Sequence, residues 1–200
     1  MQDKISAKFG EQALDSALFY NHEGSLRFEL SGGSSYIEMF LRAYDRSKSI
    51  FDVAFQDTDT VSICLTFYGS GNFVANLSVF RSLKECQIII PKNYYAWQKS
   101  YSEFFDEPNL DRNFICFEIC KLEISKFLWG TLANEIGIRP RSNCNLYIFD
   151  LKESILMHPY DDRGIDIIGS NKTKLKQLYI SFNEWLLDCD RQKIMAYFEI

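Results

Sequence analysis

Short apolar runs separated by polar turns mark residues 145–168, the segment around which we expect the rest of the chain to fold. Its sequence, NLYIFDLKESILMHPYDDRGIDII, predicts two strands joined by a polar turn and a third short strand after a second turn. The second turn is Asp161-Asp162-Arg163-Gly164, and Asp and Gly are typical turn residues. In residues 25–30 and 61–67, apolar positions alternate with polar ones, which predicts two further strands. The pattern therefore predicts a sheet that is antiparallel at its centre.

Helical periodicity predicts the elements that pack on this sheet. Ser35 and Glu38 have the spacing of a capping box, at the start of a helix that runs to about Phe55. Its predicted apolar stripe comprises Ile37, Phe40, Leu41, Tyr44, Phe51 and Phe55. Further helices are predicted over residues 1–20, from an N-cap at Ser125 to Gly137, and from 173 to 198. In the last of these, Asp188, Asp190 and Arg191 are expected on a solvated face.

Residues 72–112 give the least regular pattern. Residues 73–80 fit either a strand or a helix, and 87–90 predict a short strand that stops at Pro91. Aromatic residues at 94, 97, 101, 104 and 105 fit a helical stripe, which predicts a helix over 94–105. Residues 114–124 are largely apolar and predict a long strand.

These elements predict an α+β fold, with a mostly antiparallel central sheet and three or four packed helices. A chain of 200 residues forms one domain with a substantial core, or at most two small ones. We expect a single domain over 1–200, which two closely packed halves, 1–106 and 107–200, could make up. The break Glu107-Pro108-Asn109 is the best candidate for a boundary between them.

Composition narrows the class of protein. The chain is 46% hydrophobic and 24% charged, which is typical of a folded globular protein. Its net charge of −5 disfavours general binding to nucleic acid, because an acidic surface repels phosphate. The charge is better suited to a small metabolite, a metal or a basic protein partner.

The six cysteines form no CxxC pair, and we expect reduced thiols that are mostly buried. The N-terminal residues lack the apolar run of a signal peptide, and no apolar run approaches the roughly 18 residues of a membrane span. A cytoplasmic protein without membrane contact is therefore expected.

The Asp161-Asp162-Arg163-Gly164 turn and the neighbouring His158 are the candidate catalytic residues. Two carboxylates can bind a divalent cation or share a proton, and a histidine beside them can act as a general base. The structural interpretation is that Arg163 pairs with a carboxylate to fix the turn, while His158 makes one hydrogen bond in a strand. We favour the structural interpretation, and no catalytic residue is predicted.

No metal or cofactor is predicted either. The chain has two histidines far apart in sequence, and the acidic pair lacks the third and fourth ligands of a calcium loop. The glycine-containing breaks at 32–33 and 69–71 match neither a P-loop nor a dinucleotide fingerprint.

The aromatic residues Tyr94, Tyr95, Trp97 and Tyr101 are the candidate partner-binding residues. Tyr and Trp are frequent anchors of protein interfaces. They can equally cover a hydrophobic core, and the sequence alone leaves both interpretations open.

Several of these segments together resemble an uncharacterised bacterial family with a domain of unknown function. The segments that carry the resemblance are 18–20, 26–30, the helix with Arg42 and Arg46 that leads to Phe55, 57–59, 147–150, 158–168, 178–179, 183–187 and 190–191. The most specific combination is Tyr-Asp-Asp-Arg-Gly between short strands with a Trp-bearing C-terminal helix. The resemblance covers most of the chain outside about 69–112, implies a bacterial cytosolic protein, and carries no activity to transfer.

The hypothesis we favour from the sequence is a non-catalytic bacterial protein-binding module. One form is an immunity-type protein that neutralises a basic toxin by occlusion, with acidic residues steering the toxin and aromatic residues anchoring it. The second hypothesis is a hydrolase-like or metal-assisted enzyme that uses His158, Asp161, Asp162 and Arg163. The third is a regulator associated with mobile elements, which the charge disfavours.

Overall fold

The computed structural model describes residues 1–69, 73–100 and 111–198. The helices in these ranges are α1 (Gln2–Phe9), α2 (Leu18–Asn21), α3 (Tyr36–Ala54), α4 (Phe73–Glu85), α5 (Ile124–Ile136), α6 (Lys172–Ser181) and α7 (Arg191–Phe198). The strands are β1 (Leu26–Glu29), β2 (Thr60–Gly69), β3 (Tyr95–Ser100), β4 (Asp111–Cys120), β5 (Asn145–Asp150), β6 (Ile155–Asp161) and β7 (Gly164–Gly169). Short 3-10 helices lie at Lys121–Glu123 and Asn183–Trp185.

The strands form one seven-stranded sheet in the order β1-β7-β6-β5-β2-β4-β3, and every neighbouring pair is antiparallel. The predicted α+β fold with a mostly antiparallel sheet is confirmed. Strands from the two sides of residue 106 alternate within this sheet, because β2 lies between β4 and β5. The predicted boundary at 107–109 lies outside the described residues.

Each face of the sheet has its own hydrophobic cluster. On one face, α3, α4, α5 and α6 contact β2, β5, β6 and β7 and bury the larger cluster. On the other face, the N-terminal segment, which we define as residues 1–21, packs Ile5, Phe9 and Leu14 over β2, β4 and β5. The central strands are therefore covered on both sides, and their alternating residues are buried alike.

The N-terminal segment is not the single helix that was predicted. Helix α1 ends at Gly10, whose φ of 89° is a conformation that glycine adopts at little cost. A turn follows, and the one-turn helix α2 begins after Ala17 at φ 57°. These changes of direction let the segment lie flat across the sheet.

Helix α3 begins as predicted, with the Ser35 hydroxyl accepting a hydrogen bond from the Glu38 N–H at 3.2 Å. Its buried stripe differs from the prediction and comprises Phe40, Ala43, Ser47, Ile50, Phe51 and Ala54. Ile37 and Leu41 are exposed instead. Helix α3 packs on α5, and its buried face includes the small residues Ala43 and Ser47 beside the apolar ones.

The strand predicted at residues 87–90 is wrong, because these residues close the C-terminus of α4. Gln87 is left-handed at φ 57°, and the Ile88 N–H donates to the Leu83 carbonyl at 2.9 Å. This is the hydrogen bond of a Schellman cap. The Ile88 side chain is buried under the helix, which explains the apolar residues there.

The helix predicted over 94–105 is also wrong in its described part. Tyr95–Ser100 is strand β3, which pairs with β4 along its whole length. Tyrosine and tryptophan favour strands, and pairing with β4 outweighs the helical spacing of the aromatic residues. Residues 101–105 lie outside the described ranges.

The remaining boundaries shift by a few residues. Helix α5 starts at Ile124 without a side-chain cap, so the N-cap predicted at Ser125 is wrong, whereas Gly137 ends the helix as predicted. The predicted C-terminal helix is interrupted between α6 and α7. In this interruption Leu186 bridges to Phe28 and the Leu187 N–H donates to the Arg27 carbonyl at 3.2 Å, which covers the outer edge of β1.

Candidate functional site

Strand β3 is the edge of the sheet that lies farthest from β1. Its register with β4 runs from Tyr95 opposite Cys116 to Ser100 opposite Asp111, and all of its residues except the half-buried Trp97 are exposed. In the described ranges 1–69, 73–100 and 111–198, no strand pairs with its other edge. A free strand edge presents unpaired N–H and C=O groups that can take a strand from another chain.

The structure brings together three of the four aromatic residues predicted to bind a partner. Tyr94 and Tyr95 are 52% and 54% exposed, at the start of β3. The Trp97 ring stacks on Phe114 of β4, with centroids 5.0 Å apart and planes at 4°. Trp97 therefore covers the core in part, while the two tyrosines are available on the surface. Tyr101 lies outside the described residues.

A cleft of about 1030 Å³ opens beside these tyrosines, on the face of the sheet that carries the N-terminal segment. Its floor is formed by Ser62 of β2 with its cross-strand neighbours Glu118 of β4 and Phe149 of β5. Tyr94 and Tyr95 line it on the side of β3. The remaining walls come from α1, from the loop before β3 and from the turn after β5.

Three lysines line this cleft, which we call the lysine cleft: Lys4 of α1, Lys92 before β3 and Lys152 after β5. Within the described part of the chain, none of the three forms an ion pair. Glu118 and Asp150 are the carboxylates among the lining residues. Asp150 Oδ1 accepts hydrogen bonds from the N–H groups of Lys152 and Glu153, at 2.7 and 3.0 Å.

A second cleft, of about 740 Å³, lies on the opposite face of β3, towards α4. Phe67, Phe80 and Ile115 form apolar walls. Gln98 and Asn113 supply polar groups, and the Gln98 Nε2 donates to the Asn113 Oδ1 at 2.7 Å. Strand β3 is thus bordered by a concave surface on each face.

The predicted turn lies elsewhere, at the tip of the β6–β7 hairpin. Asp161 ends β6 and Gly164 begins β7, so Asp162 and Arg163 form the turn. The Asp161 carboxylate accepts hydrogen bonds from the Arg163 backbone N–H at 2.8 Å and from its Nε at 2.9 Å. The Arg163 carbonyl accepts a further bond from the Leu30 N–H at 2.8 Å, which ties the hairpin to the end of β1.

The two aspartates of this turn differ in environment. Asp161 is held by Arg163, whose own side chain is 75% exposed. Asp162 is buried, and this burial, together with the charge of Asp161, raises the pKa of its carboxyl group. Neither aspartate lines the two clefts beside β3. A catalytic role of these residues stays an untested prediction.

His158 is buried in β6. Its Nδ1 donates to the Leu146 carbonyl at 2.8 Å, and its ring stacks on Tyr147 at 4.0 Å between centroids. Ile148 of β5 pairs with Met157 of β6, and continuing this register by two residues puts Leu146 opposite Pro159. Proline has no N–H to donate to the Leu146 carbonyl, and the His158 imidazole donates to it instead. Burial lowers the pKa of His158 to about 4, which keeps the ring neutral at pH 7.

Sequence analysis missed a buried ion pair at the same end of the sheet. Arg27 of β1 donates from Nε and Nη2 to the two carboxylate oxygens of Asp166 in β7, at 2.7 and 2.8 Å. Asp166 is fully buried and also accepts from the Phe19 N–H at 3.1 Å. Asp190, expected on a solvated face, is buried with its Oδ2 3.7 Å from Arg27 Nη1. The sequence does hold one signal for this ion pair. In each of the two strands a single charged residue lies between two apolar ones, in LRF at 26–28 and in IDI at 165–167.

The lysine cleft was missed for a different reason. Lys4, Ser62, Lys92 and Lys152 belong to four segments that only the fold brings together. The one local signal was Lys92, which lies two residues before Tyr94.

Among the residues that the structure describes, no group of three or more His, Cys, Asp and Glu side chains is placed to hold a metal ion. None of the helices in these ranges is both long enough and apolar enough to cross a membrane. Four of the six cysteines are buried, as predicted for most of them, while Cys120 and Cys189 are exposed.

Comparisons with known proteins place the chain in a family. The sequence model of the domain of unknown function DUF3885 matches residues 1–190. The uncharacterised protein YnaE of Bacillus subtilis (strain 168) is 18% identical over 167 residues, which cover 75% of this chain and 76% of that protein. No solved structure matches the chain. Since the family model spans nearly the whole sequence, the chain belongs to the DUF3885 family of uncharacterised bacterial domains.

Proposed function

We propose that this protein is a non-catalytic protein-binding module that takes a strand of its partner along the free edge of β3. The single observation that carries the proposal is the exposed edge of β3, bordered by the exposed rings of Tyr94 and Tyr95. Backbone hydrogen bonds from a strand edge provide affinity, and adjacent side-chain pockets provide specificity. Clefts of about 1030 and 740 Å³ flank this edge.

The aromatic side chains have the properties of interface anchors. Tyrosine buries a large area at a small entropy cost and keeps a hydroxyl for hydrogen bonding. Tyr94 and Tyr95 are adjacent in sequence, and both line the lysine cleft. A partner strand beside β3 would cover both rings.

An immunity-type protein that neutralises a toxin by occlusion is the specific form of this function that we propose. Binding by occlusion needs an exposed complementary surface and no reactive group. The surface at β3 meets the first requirement, and it lies at the opposite end of the sheet from the β6–β7 hairpin that carries His158 and the aspartates.

Capture of the partner on immobilised protein tests the proposal. The variant Tyr94→Ala/Tyr95→Ala should lose the partner that the wild type retains from a lysate of the source bacterium. The matched control is Tyr36→Ala on α3, because Tyr36 is 74% exposed and lies outside the clefts that flank β3. Co-expression with the product of the adjacent gene tests the immunity form, with growth as the readout.

Hydrogen exchange on the purified complex then locates the interface. The amides of β3 that point away from β4 should become protected when the partner binds, since every second N–H of an edge strand is directed outward and can donate to an added strand. Protection confined to other strands, or loss of the partner in Tyr36→Ala alone, would contradict the proposal.

A further inference from the structure

We propose that the lysine cleft receives an acidic segment of the protein partner, whose carboxylates are bound by Lys4, Lys92 and Lys152. This inference rests on the proposed function, because the cleft shares Tyr94 and Tyr95 with the edge of β3. It reverses the partner expected from the whole chain, since a net charge of −5 favours a basic protein.

The local charge around the cleft differs from the charge of the whole protein. Three ammonium groups face two carboxylates among the lining residues, and none of the lysines has a carboxylate within 4.0 Å in the described part of the chain. Asp150 accepts two backbone N–H bonds in its own turn, and these offset part of its charge. Among the described residues, Glu118 on the floor is the carboxylate of the cleft that has no such bond. The cleft is thus a positive region on an acidic protein.

The lysines are also placed to act together. Lys4 lies on α1, Lys92 in the loop before β3 and Lys152 in the turn after β5, so they enter the cleft from three separate elements. Convergent charges in a concave site attract an ion of opposite sign more strongly than the same charges spread over a flat surface. An extended acidic segment that crosses the floor can meet lysines from more than one side.

Ser62 places a hydrogen-bond donor on the floor of the lysine cleft. Ser62 is only 7% exposed, lines the cleft, and its hydroxyl makes no hydrogen bond with a described residue. The Ser62 hydroxyl is therefore open to the cleft and can donate a hydrogen bond to an acceptor of a bound molecule. The hydroxyls of Tyr94 and Tyr95 can donate at the rim in the same way. Carboxylate oxygens accept such bonds.

Glu118 restricts which anions fit. It lies beside Ser62 on the floor, so a chain whose negative charges are fixed in its backbone would place charge against it. In an extended peptide, successive side chains point in opposite directions on flexible stems, so even an all-glutamate peptide can turn its carboxylates towards the lysines and away from Glu118. The arrangement therefore favours an acidic peptide over a polyphosphate backbone.

A labelled peptide tests the inference directly. Fluorescein-labelled hexaglutamate, titrated with the full chain at low salt and followed by fluorescence anisotropy, should bind at least tenfold more tightly than labelled hexalysine. Lys4→Glu/Lys92→Glu/Lys152→Glu should weaken hexaglutamate binding about a hundredfold, because each exposed pair is changed from attraction to repulsion. The affinity should also fall as salt is raised, since exposed charges are screened.

The matched control reverses three exposed lysines outside the cleft, Lys8, Lys84 and Lys176, and so has the same net charge. It should change the affinity for hexaglutamate about threefold at most. Lys92→Ala is a milder variant that keeps the test valid if the triple variant does not fold, with an expected loss of about fivefold. Far-ultraviolet circular dichroism establishes that each variant is folded.

Other outcomes overturn the inference. Equal losses in the cleft and control variants would mean that only net charge is sensed, and tighter binding of labelled dT20 than of hexaglutamate would assign the cleft to nucleic acid. Absence of hexaglutamate binding, while partner capture still requires Tyr94 and Tyr95, would reject this inference and leave the proposed function standing. Lysine-dependent peptide binding without protection of 95–100 in the complex would reject the proposed function alone.

Discussion

The two ends of the sheet differ in the environment of their charged residues, which are buried and paired at one end and exposed at the other. At the β1–β7–β6 end, Arg27 is buried and donates two hydrogen bonds to the fully buried Asp166. At the β3 end, Lys92 is exposed at the rim of a cleft and has no ion pair among the described residues. The first arrangement pairs the charges of Arg27 and Asp166 inside the molecule, and the second leaves the lysine charge and the strand edge available.

We therefore expect substitutions at the two ends to change different properties, the free energy of unfolding at one end and the binding of a partner at the other. A buried charge with its partner removed is costly, so the β1–β7–β6 end should respond to substitution by unfolding. Exposed charges and rings add little to folding, so the β3 end should respond by losing a partner. The variants below measure that separation.

The largest expected effect is that of Asp166→Ala. It leaves the Arg27 guanidinium buried without its carboxylate and removes the acceptor of the Phe19 N–H. We expect a loss of about 3–5 kcal/mol in the free energy of unfolding, measured by urea denaturation. Asp188→Ala is the control and should change it by less than about 0.5 kcal/mol, because the Asp188 side chain is 97% exposed. A loss below about 1 kcal/mol for Asp166→Ala would remove the contrast between the two ends.

A second large effect is the pH dependence contributed by His158. Burial lowers its pKa in the folded protein to about 4, whereas the unfolded chain titrates near pH 6.5. Between these values the unfolded state binds the proton and the folded state does not, so stability falls as the pH is lowered from about 6.5 to about 4. The loss amounts to about 3 kcal/mol, as an order of magnitude.

The variant His158→Gln isolates this contribution. It is expected to be less stable than the wild type at pH 7, and the difference between the two proteins should shrink as the pH falls to about 4. Urea denaturation at several pH values measures it. A constant difference across that range would mean that His158 takes up its proton at the same pH in the folded and the unfolded state, and would reopen its role as a general base.

A smaller effect is expected for Asp161→Ala at the hairpin tip. The carboxylate accepts from the Arg163 backbone N–H and side chain, but that side chain is 75% exposed. Water screens the ion pair, so the loss should be about 1 kcal/mol, mostly from the backbone hydrogen bond. Arg163→Ala should cost less than Asp161→Ala in the same denaturation experiment. The reverse order would show that the ion pair, rather than the backbone bond, fixes the turn.

Residues 145–168 show how far the sequence predicts the fold. Its three strands and both turns follow from short apolar runs and from the turn residues between them, which are local signals. Strand β3 was predicted as a helix because the spacing of its aromatic residues fits both structures, and only its pairing with β4 decides between them. The break between α6 and α7 likewise depends on contacts with β1 that are distant in sequence.

The residues of the candidate site also differ in how far the sequence alone could suggest them. Tyr94 and Tyr95 could be chosen as candidates from the sequence because Tyr is a frequent anchor of protein interfaces, and the structure places both rings on the surface. The lysines could not, since Lys4, Lys92 and Lys152 are ordinary surface residues until the sheet brings them around one floor. Residues from distant segments that form one site only after folding leave no recognisable pattern in a single sequence.

The smallest expected effect on stability is that of Tyr94→Ala/Tyr95→Ala, and it decides between the two interpretations that the sequence left open. If the rings are interface anchors, their exposed fractions of 52% and 54% imply that folding uses little of their area, and unfolding in urea should shift by less than about 1 kcal/mol in total. Trp97→Ala is the contrast within the same strand, since its ring stacks on Phe114, and should cost about 2 kcal/mol or more. A double tyrosine variant as destabilised as Trp97→Ala would show that these rings cover the core, and β3 would then belong with the buried end of the sheet.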